Sequence, residues 1–243
     1  MLGSTTARLL DEHDLVMFDL DGVVYVSGNA LPGVPEDIRR VRDEGRHVAF
    51  VTNNASRTPD KVVKRLEDVG VAADVADVVT SAQAAARLLA QRHGAGARIL
   101  VLGGAGLVGA LEDEDLVPVS IEDSEADSDQ VVALASGYGP DVRWRDIMKA
   151  AVLVREGLPY VASNADMTIP TAYGLAPGHG VLVSAIARFA GVAPVVAGKP
   201  ERPLMEETMR RVGGSQPIMV GDRLDTDIEG AHEIGVPSLL VLT

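Results

Sequence analysis

The sequence contains no cysteine, which excludes disulfide bonds, cysteine nucleophiles, zinc fingers and iron–sulfur clusters. Aromatic residues make up only 3% of its 243 positions, so the core has to be built from alanine, valine, leucine and isoleucine. No apolar run is long enough to cross a membrane, and the N-terminus lacks the basic and apolar regions of a secretory signal. We therefore expect a cytoplasmic protein without a membrane partner.

Positive charge is also scarce. Lysine and arginine together number 22 against 35 acidic residues, which gives a net charge of −13. A surface of this charge repels the phosphates of nucleic acid, so a nucleic-acid partner is not expected. A site that binds a small phosphorylated molecule must then supply its own cations. The length and the 47% hydrophobic content allow one large or two medium domains.

One stretch near the N-terminus organises the rest of the chain. Residues 15–18 (LVMF) form a short apolar run that is typical of a strand buried on both faces. Asp19 and Asp21 follow this strand directly, and Gly22 then permits a turn. Open α/β sheets bind ligands at this end of their strands. A simple Asp–Gly turn with a solvated carboxylate is the structural alternative.

Strands and helices alternate along the remaining chain. Strands are predicted at 47–51, 78–80, 98–102, 117–120, 131–135, 160–162, 217–220 and 238–242, and helices at 35–44, 58–70, 82–92, 181–190 and 201–212. This alternation predicts an α/β fold with a doubly wound, parallel, Rossmann-like sheet. We expect Trp144 to fill the core and the acidic stretch from Glu112 to Gln130 to form a solvated loop.

Four predicted strands end in clusters of polar residues. These clusters are Asp19 with Asp21, Thr52 with Asn53, Lys199, and Asp222 with Asp225 and Asp227. Because the carboxyl ends of parallel strands meet at one edge of a sheet, we expect the clusters to converge. Several carboxylates brought together need a cation, and oxygen ligands suit Mg²⁺.

A charge count turns this convergence into a mechanism. Three carboxylates, from Asp19, Asp222 and Asp227, are balanced by Mg²⁺ and Lys199, so the site is neutral before a phosphate arrives. A further carboxyl, that of Asp21, is then pushed towards its protonated form and can act as a general acid. Asp19 would attack phosphorus and form an aspartyl-phosphate, which water then hydrolyses.

Four motifs in order resemble those of the haloacid dehalogenase-like hydrolases. They are 19–25 (DLDGVVY), 51–56 (VTNNAS), 198–200 (GKP) and 221–231 (GDRLDTDIEGA). The match is closest to the subfamily of 4-nitrophenyl-, glycerol-phosphate, phosphoglycolate and nucleotide phosphatases. This resemblance implies a Mg²⁺-dependent phosphatase acting on a small phosphorylated metabolite. Glycerol phosphate is the first expected substrate, followed by phosphoglycolate or a nucleoside monophosphate, and a homodimer is compatible with the resemblance.

The resemblance also implies roles for individual residues. Asp19 would be the nucleophile and Asp21 the acid/base, while Thr52, Asn53 and Lys199 would bind phosphate. Mg²⁺ would be held by Asp19, the backbone carbonyl of Asp21 and Asp222, with Asp227 acting through water. Asp225 is not expected to be a direct ligand.

In this subfamily a second α/β domain, the cap, is inserted between the second and third motifs. Residues 81–197 would form the cap, and 1–80 with 198–243 the hydrolase core. Tentative substrate contacts on the cap side are Asn54, Arg57, Asn164, Asp166 and His179, although a surface position is the simpler expectation for His179. The chain stops at Thr243, where relatives usually continue, so a truncated chain or a missing final helix is considered.

Two other functions stay open at this point. Gly104, Gly106 and Gly109 form a G-x-G-x-x-G pattern after the strand 98–102, which is typical of an NAD(P)-dependent oxidoreductase. Response-regulator receivers use Asp, Thr, Lys and Mg²⁺ on a similar sheet, so a non-catalytic phospho-aspartate switch is the second alternative. A receiver is about half this length, which favours the hydrolase.

Overall fold

The computed structural model describes residues 6, 8–26, 28–122, 130–171 and 173–243. Its strands are β1 (Leu15–Phe18), β2 (Tyr25–Val26), β3 (Asn29–Ala30), β4 (His47–Thr52), β5 (Val78–Thr80), β6 (Arg98–Leu102), β7 (Val117–Ser120), β8 (Ala133–Ser136), β9 (Tyr160–Ala162), β10 (Thr168–Thr171), β11 (Gly174–Pro177), β12 (Val195–Val196), β13 (Pro217–Gly221) and β14 (Ser238–Leu240). Its helices are α1 (Leu9–Glu12), α2 (Val34–Asp43), α3 (Pro59–Asp68), α4 (Ser81–His93), α5 (Ala105–Asp113), α6 (Trp144–Arg155), α7 (His179–Ala190), α8 (Arg202–Val212) and α9 (Glu229–Glu233).

Two five-stranded sheets carry the architecture. The first has the strand order β14-β13-β1-β4-β5, and the second has the order β12-β9-β8-β6-β7. Every pairing inside both sheets is parallel. Helices connect the successive strands, so the predicted α/β fold with doubly wound parallel sheets is confirmed. Two antiparallel hairpins, β2–β3 and β10–β11, are added to this frame.

Local sequence explains how these elements begin. All four residues of β1 are buried, as its unbroken apolar run predicts for a central parallel strand. Helix α3 starts with Pro59, whose fixed φ angle suits the first helical position. Helix α4 starts with a capping box, in which the Thr80 side chain accepts from the Gln83 N–H and the Gln83 side chain accepts from the Thr80 N–H.

Strand register places the polar clusters at one edge of the first sheet. Phe18, the last residue of β1, pairs with Val220 of β13 and Phe50 of β4. The residues that follow these three positions therefore lie next to one another at the carboxyl ends of their strands. Asp19 and Thr52 are brought together in this way.

The two sheets share one hydrophobic core. A single cluster of buried apolar side chains includes Met17 of β1, Ile99 of β6 and Leu89 of α4. Helix α4 contributes because it packs against both α5 and α8. Within the described ranges, no helix has both the length and the apolar character that crossing a membrane requires.

The structure corrects two expectations about individual segments. Trp144 is 69% exposed, because it is the first residue of α6 and does not face the sheet. The acidic stretch is only partly a loop, since Glu112 lies in α5, and the strand predicted at 117–120 is confirmed as β7. These elements form because Leu111 and Val119 are buried. Residues 123–129 of the same stretch lie outside the described part of the chain.

Candidate active site

A buried lysine links the two ends of the sequence. Lys199 follows β12, and its Nζ lies 2.5 Å from Asp19 Oδ1 and 2.7 Å from Asp227 Oδ1. The same amine donates to the backbone carbonyl of Val51 at 3.2 Å. Lys199 is only 2% exposed, so one ammonium group is shared by two carboxylates in a place that excludes bulk water.

Three carboxylates gather beside this lysine. Asp19, Asp222 and Asp227 each offer an oxygen, and these atoms lie within 4.8 Å of one another. Glycines make this approach feasible: a Cβ at Gly22 would lie 2.3 Å from Asp222 Oδ2, and a Cβ at Gly221 would lie 2.2 Å from the Asp227 Cβ. Gly22 and Gly221 therefore have to lack a side chain.

The trio fits a divalent cation. Asp222 Oδ1 is buried, yet it has no hydrogen-bond partner among the residues that the structure describes. A buried carboxylate oxygen in this state is costly unless a cation or water satisfies it. All the available donors are oxygens, which Mg²⁺ prefers. The donor set thus agrees with the predicted magnesium site.

Burial and crowding shift the pKa values of the site. Burial raises the pKa of Asp19 to about 7 against the opposing effect of Lys199, and Asp227 adds to the rise. Burial alone would lower the pKa of Lys199, but its two carboxylate partners outweigh this effect and raise it. Burial also raises the pKa of Asp21, although Arg65 and Arg57 oppose the change. For Asp21 this shift is in the direction that favours the protonated carboxyl.

These groups open into one cleft of about 110 Å³. Ten predicted site residues line it or lie within its wall: Asp19, Asp21, Thr52, Asn53, Asn54, Asn164, Asp166, His179, Lys199 and Asp227. Asp222 joins through the carboxylate trio. Arg57 is exposed and does not belong to the lining that the described residues form.

Comparison with known proteins shows the family of this chain. A sequence model of the haloacid dehalogenase-like hydrolases matches residues 16–117, and a second HAD-hydrolase-like model matches residues 196–243. The acid sugar phosphatase of Staphylococcus aureus is 33% identical over 96% of this chain and 88% of its own length. The chain belongs to the haloacid dehalogenase-like hydrolases.

Two further comparisons refine this membership. The D-glycerol 3-phosphate phosphatase of Mycobacterium tuberculosis is 42% identical over 97% of this chain, but this chain spans only 64% of that relative's length. A crystal structure of glycerol phosphate phosphatase from M. tuberculosis in complex with magnesium superposes with a TM-score of 0.89. The two sequences are 41% identical, and the superposition covers 98% of this chain and 70% of the M. tuberculosis chain.

Asn53 makes contacts that the amino-acid sequence does not predict. Its side-chain N–H groups donate to the Asp166 carboxylate at 3.1 and 3.2 Å and to the backbone carbonyl of Lys199 at 3.0 Å. Its side-chain oxygen accepts from the backbone N–H of Lys199 at 2.8 Å. The side chain predicted to bind phosphate is thus occupied by protein groups and fixes the backbone of Lys199.

His179 is buried and lines the cleft, so the expectation that it lies on the surface is wrong. Its Nε2 lies 3.0 Å from Ser136 Oγ, which is 2.8 Å from the Tyr160 hydroxyl. Burial lowers the pKa of His179 to about 4, so the ring is neutral at neutral pH. A Cβ at Gly180 would lie 2.1 Å from the Ala165 carbonyl, and this close approach draws the start of α7 inward.

The cleft also contains residues that the sequence analysis missed. They are Tyr138, Thr168, Ile169, Pro170, Gly178, Arg223 and Thr226. Arg223 and Thr226 stand inside the last motif, which offered a signal for them. Arg223 pairs with Asp225 at 2.8 Å, and this pairing agrees with the expectation that Asp225 is no direct ligand. Tyr138 and the β10 residues carried no recognisable pattern.

The glycine pattern at 104–109 has a structural role. A Cβ at Gly106 would lie 2.5 Å from the Arg57 carbonyl and 2.6 Å from the Ala55 carbonyl. Protein backbone therefore fills the place where a dinucleotide pyrophosphate would approach such a glycine. This packing argues against the oxidoreductase alternative.

Proposed function

We propose that this chain is a Mg²⁺-dependent phosphomonoester hydrolase that works through an aspartyl-phosphate on Asp19. The observation that carries the proposal is the buried ammonium of Lys199, which contacts Asp19 and Asp227 beside a third carboxylate, that of Asp222. One nucleophile, one fixed cation and an acidic trio with an unsatisfied oxygen are the parts that phosphoryl transfer needs. The residue roles below belong to this proposal.

In the first half-reaction a carboxylate oxygen of Asp19 attacks phosphorus. The bond from phosphorus to the leaving oxygen breaks, and Asp21 gives its proton to that oxygen. Lys199 and the Thr52 hydroxyl stabilise the phosphoryl oxygens as charge shifts in the transition state. The raised pKa of Asp21 supports its role as the acid.

In the second half-reaction water attacks the aspartyl-phosphate. Asp21, now ionised, takes a proton from that water as its oxygen bonds to phosphorus. The bond between phosphorus and the Asp19 oxygen breaks, which releases inorganic phosphate and restores the carboxylate. Asp21 ends the cycle protonated, so atoms and charge balance over one turnover.

Asp19, Asp222 and the backbone carbonyl of Asp21 would hold Mg²⁺, with Asp227 acting through water. When bound, the ion neutralises part of the phosphate charge and that of the acidic trio. The unpartnered Asp222 Oδ1 supports this assignment. The magnesium complex of the M. tuberculosis relative supports the choice of metal.

Glycerol phosphate is the substrate that the cleft favours. A volume of about 110 Å³ is far below the roughly 300–1,000 Å³ of sites for drug-sized ligands, which disfavours a nucleotide. Asp166 and Tyr138 offer hydrogen-bonding groups for hydroxyls. The name of the 42%-identical relative points to the same substrate.

We also propose the domain division expected from the sequence. The strands of the second sheet all fall within 81–197, and those of the first sheet fall within 1–80 and 198–243. Residues 81–197 would then be the cap, which closes the cleft with Asn164, Asp166 and His179. The cytoplasmic location and the homodimer stay predictions.

Phosphate release with and without Mg²⁺ tests the proposal. We expect the purified chain to hydrolyse glycerol 3-phosphate faster than phosphoglycolate or a nucleoside monophosphate, and to lose activity with a chelator. Asp19→Asn should abolish turnover while the protein remains folded. If the wild type hydrolyses none of these esters, or if Asp19→Asn keeps its rate, the proposed function is wrong.

A further inference from the structure

The start of helix α5 is pressed against the loop that carries the second motif. We name residues 52–57 the phosphate loop. A Cβ at Gly106 would lie 2.5 Å from the Arg57 carbonyl oxygen and 2.6 Å from the Ala55 carbonyl oxygen, distances that real Cβ atoms do not reach. The Gly106 N–H donates to the Ser56 carbonyl at 3.2 Å. Only glycine allows the helix and this loop to pack at the observed distance.

Neighbouring glycines continue the same packing. A Cβ at Gly137 would lie 3.0 Å from the Ala55 Cβ, and a Cβ at Gly139 would lie 2.8 Å from the Gly103 backbone. Gly104 is less tightly packed, since its Cβ would lie 3.5 Å from the Ser56 carbonyl. Backbone therefore packs directly on backbone over this surface, which we name the glycine junction (Gly103, Gly104, Gly106, Gly137 and Gly139).

Hydrogen bonds connect the glycine junction to the reacting centre. The Asn54 N–H donates to Thr52 Oγ1 at 3.1 Å, and Asn54 Oδ1 accepts from the Ser56 N–H at 2.9 Å and from the Ser56 hydroxyl at 2.7 Å. The Ser56 carbonyl then accepts from Gly106. An unbroken series of three hydrogen-bonded links, Gly106 to Ser56, Ser56 to Asn54 and Asn54 to Thr52, thus leads from the junction to the Thr52 hydroxyl.

The opposite side of the loop is held independently. The Asn53 carbonyl accepts from Ser81 Oγ at 2.7 Å and from Asn164 Nδ2 at 2.7 Å. These two contacts fix Asn53 but leave Asn54 to Ser56 dependent on the glycine junction. The Thr52 backbone is held in β4 by its pairing with Thr80, so a displacement at Ser56 would move Asn54 and reorient the Thr52 hydroxyl that accepts from it.

We infer that Gly106 is a positioning residue for the reaction, acting through Ser56 and Asn54 on the Thr52 hydroxyl. The inference rests on the proposed function, in which Thr52 binds the transferring phosphoryl group. It gives the glycine pattern of α5 a role in catalysis without any dinucleotide. Misplacing a group that contacts the transition state by about 1 Å can cost a hundredfold in rate.

Two alanine substitutions on the same helix test this inference. Gly106→Ala forces the loop to move, and we expect kcat on glycerol 3-phosphate to fall about tenfold to a hundredfold, with Mg²⁺ saturating. Gly109→Ala is the matched control, because its Cβ meets nothing closer than Thr58 Cγ2 at 3.6 Å. We expect this control to keep the wild-type kcat and to melt slightly higher, since alanine favours a helix.

Hydrogen exchange separates positioning from a general loss of stability. In Gly106→Ala the amides of Asn54 and Ser56 should exchange faster, while those of β1 keep their protection. Inhibition by orthovanadate should weaken in parallel with kcat. If Gly106→Ala only lowers the melting temperature and leaves kcat, vanadate inhibition and loop exchange unchanged below it, the inference is overturned.

Gly104→Ala covers the case in which Gly106→Ala does not fold. Its Cβ would lie 3.5 Å from the Ser56 carbonyl and 3.3 Å from the Tyr138 carbonyl, so we expect a smaller change in the same three readouts. If Gly106→Ala does not fold, a Gly104→Ala protein with wild-type kcat, vanadate inhibition and loop exchange contradicts the inference. A wild type without phosphatase activity would refute the proposed function instead, and loop exchange would still report on the junction.

Discussion

Removal of the Asn53 side chain tests whether Asn53 stabilises the protein, as its hydrogen bonds indicate, or only binds phosphate, as the sequence predicts. A side chain whose only role is to bind phosphate would contribute nothing to the stability of the ligand-free protein. In the structure, however, Asn53 is bonded to both the N–H and the carbonyl of Lys199 and to the Asp166 carboxylate. Asn53→Ala should therefore destabilise the protein when no ligand is present.

The size of this loss follows from the groups left behind. Two buried backbone groups of Lys199 lose their partner, and an unsatisfied buried polar group costs about 1–3 kcal/mol. Water that enters the gap would recover part of this cost. We therefore expect the free energy of unfolding to fall by about 2–4 kcal/mol.

Urea unfolding of the ligand-free protein measures this loss directly. Asn29→Ala is the matched control, because Asn29 is exposed in the β2–β3 hairpin and should change stability by less than about 0.5 kcal/mol. The kcat of Asn53→Ala should also fall, since the Lys199 backbone is no longer fixed. An Asn53→Ala protein as stable as the wild type, with only a raised KM, would refute the reasoning.

Three further changes test other parts of the account. Gly22→Ala places a Cβ 2.3 Å from Asp222 Oδ2, so the rise in melting temperature that Mg²⁺ causes should disappear in this variant. Gly33→Ala is the control, because Gly33 has a similar positive φ and its Cβ would meet nothing within 4 Å. This control should keep the rise. The pKa of His179 is lowered by burial, so its protonation favours the unfolded state as pH falls from 6.5 to about 4. Over this range the wild type should lose about 3 kcal/mol more of its free energy of unfolding than His179→Gln does, as urea unfolding of both proteins at both pH values would show. With glycerol 3-phosphate, Asp21→Asn should keep Mg²⁺ binding but lose most turnover, as calorimetry and phosphate release would report. Retained turnover would remove Asp21 from the acid/base role.

The sequence predicted those parts of the site that lie next to strands. Asp19 and Thr52 directly end the runs of apolar residues that form β1 and β4, so the rules for parallel sheets place them together. Lys199 and Asp222 were predicted by motif, and the structure brings them to the same place although 180 residues separate Lys199 from Asp19. Local pattern and sheet topology agree here.

The side-chain partners could not be predicted in the same way. The bonds from Asn53 to Asp166 and Lys199 join residues separated by more than 100 positions, and no periodicity encodes such pairs. Trp144 appeared suited to the core by its apolar character, but its position at the first turn of α6 decides its exposure. The glycines of α5 matched a cofactor motif because glycine serves any close backbone approach.

The most direct test of the account is to trap the phosphoryl group on Asp19. Asp21→Asn mixed with Mg²⁺ and 4-nitrophenyl phosphate should still be phosphorylated, because this leaving group needs little help from an acid. Hydrolysis of the aspartyl-phosphate should stall without a base. Mass spectrometry after an acid quench should then find one added phosphoryl group on the peptide containing Asp19. Nitrophenol release by Asp21→Asn without any phosphoryl group on Asp19 would contradict the central claim.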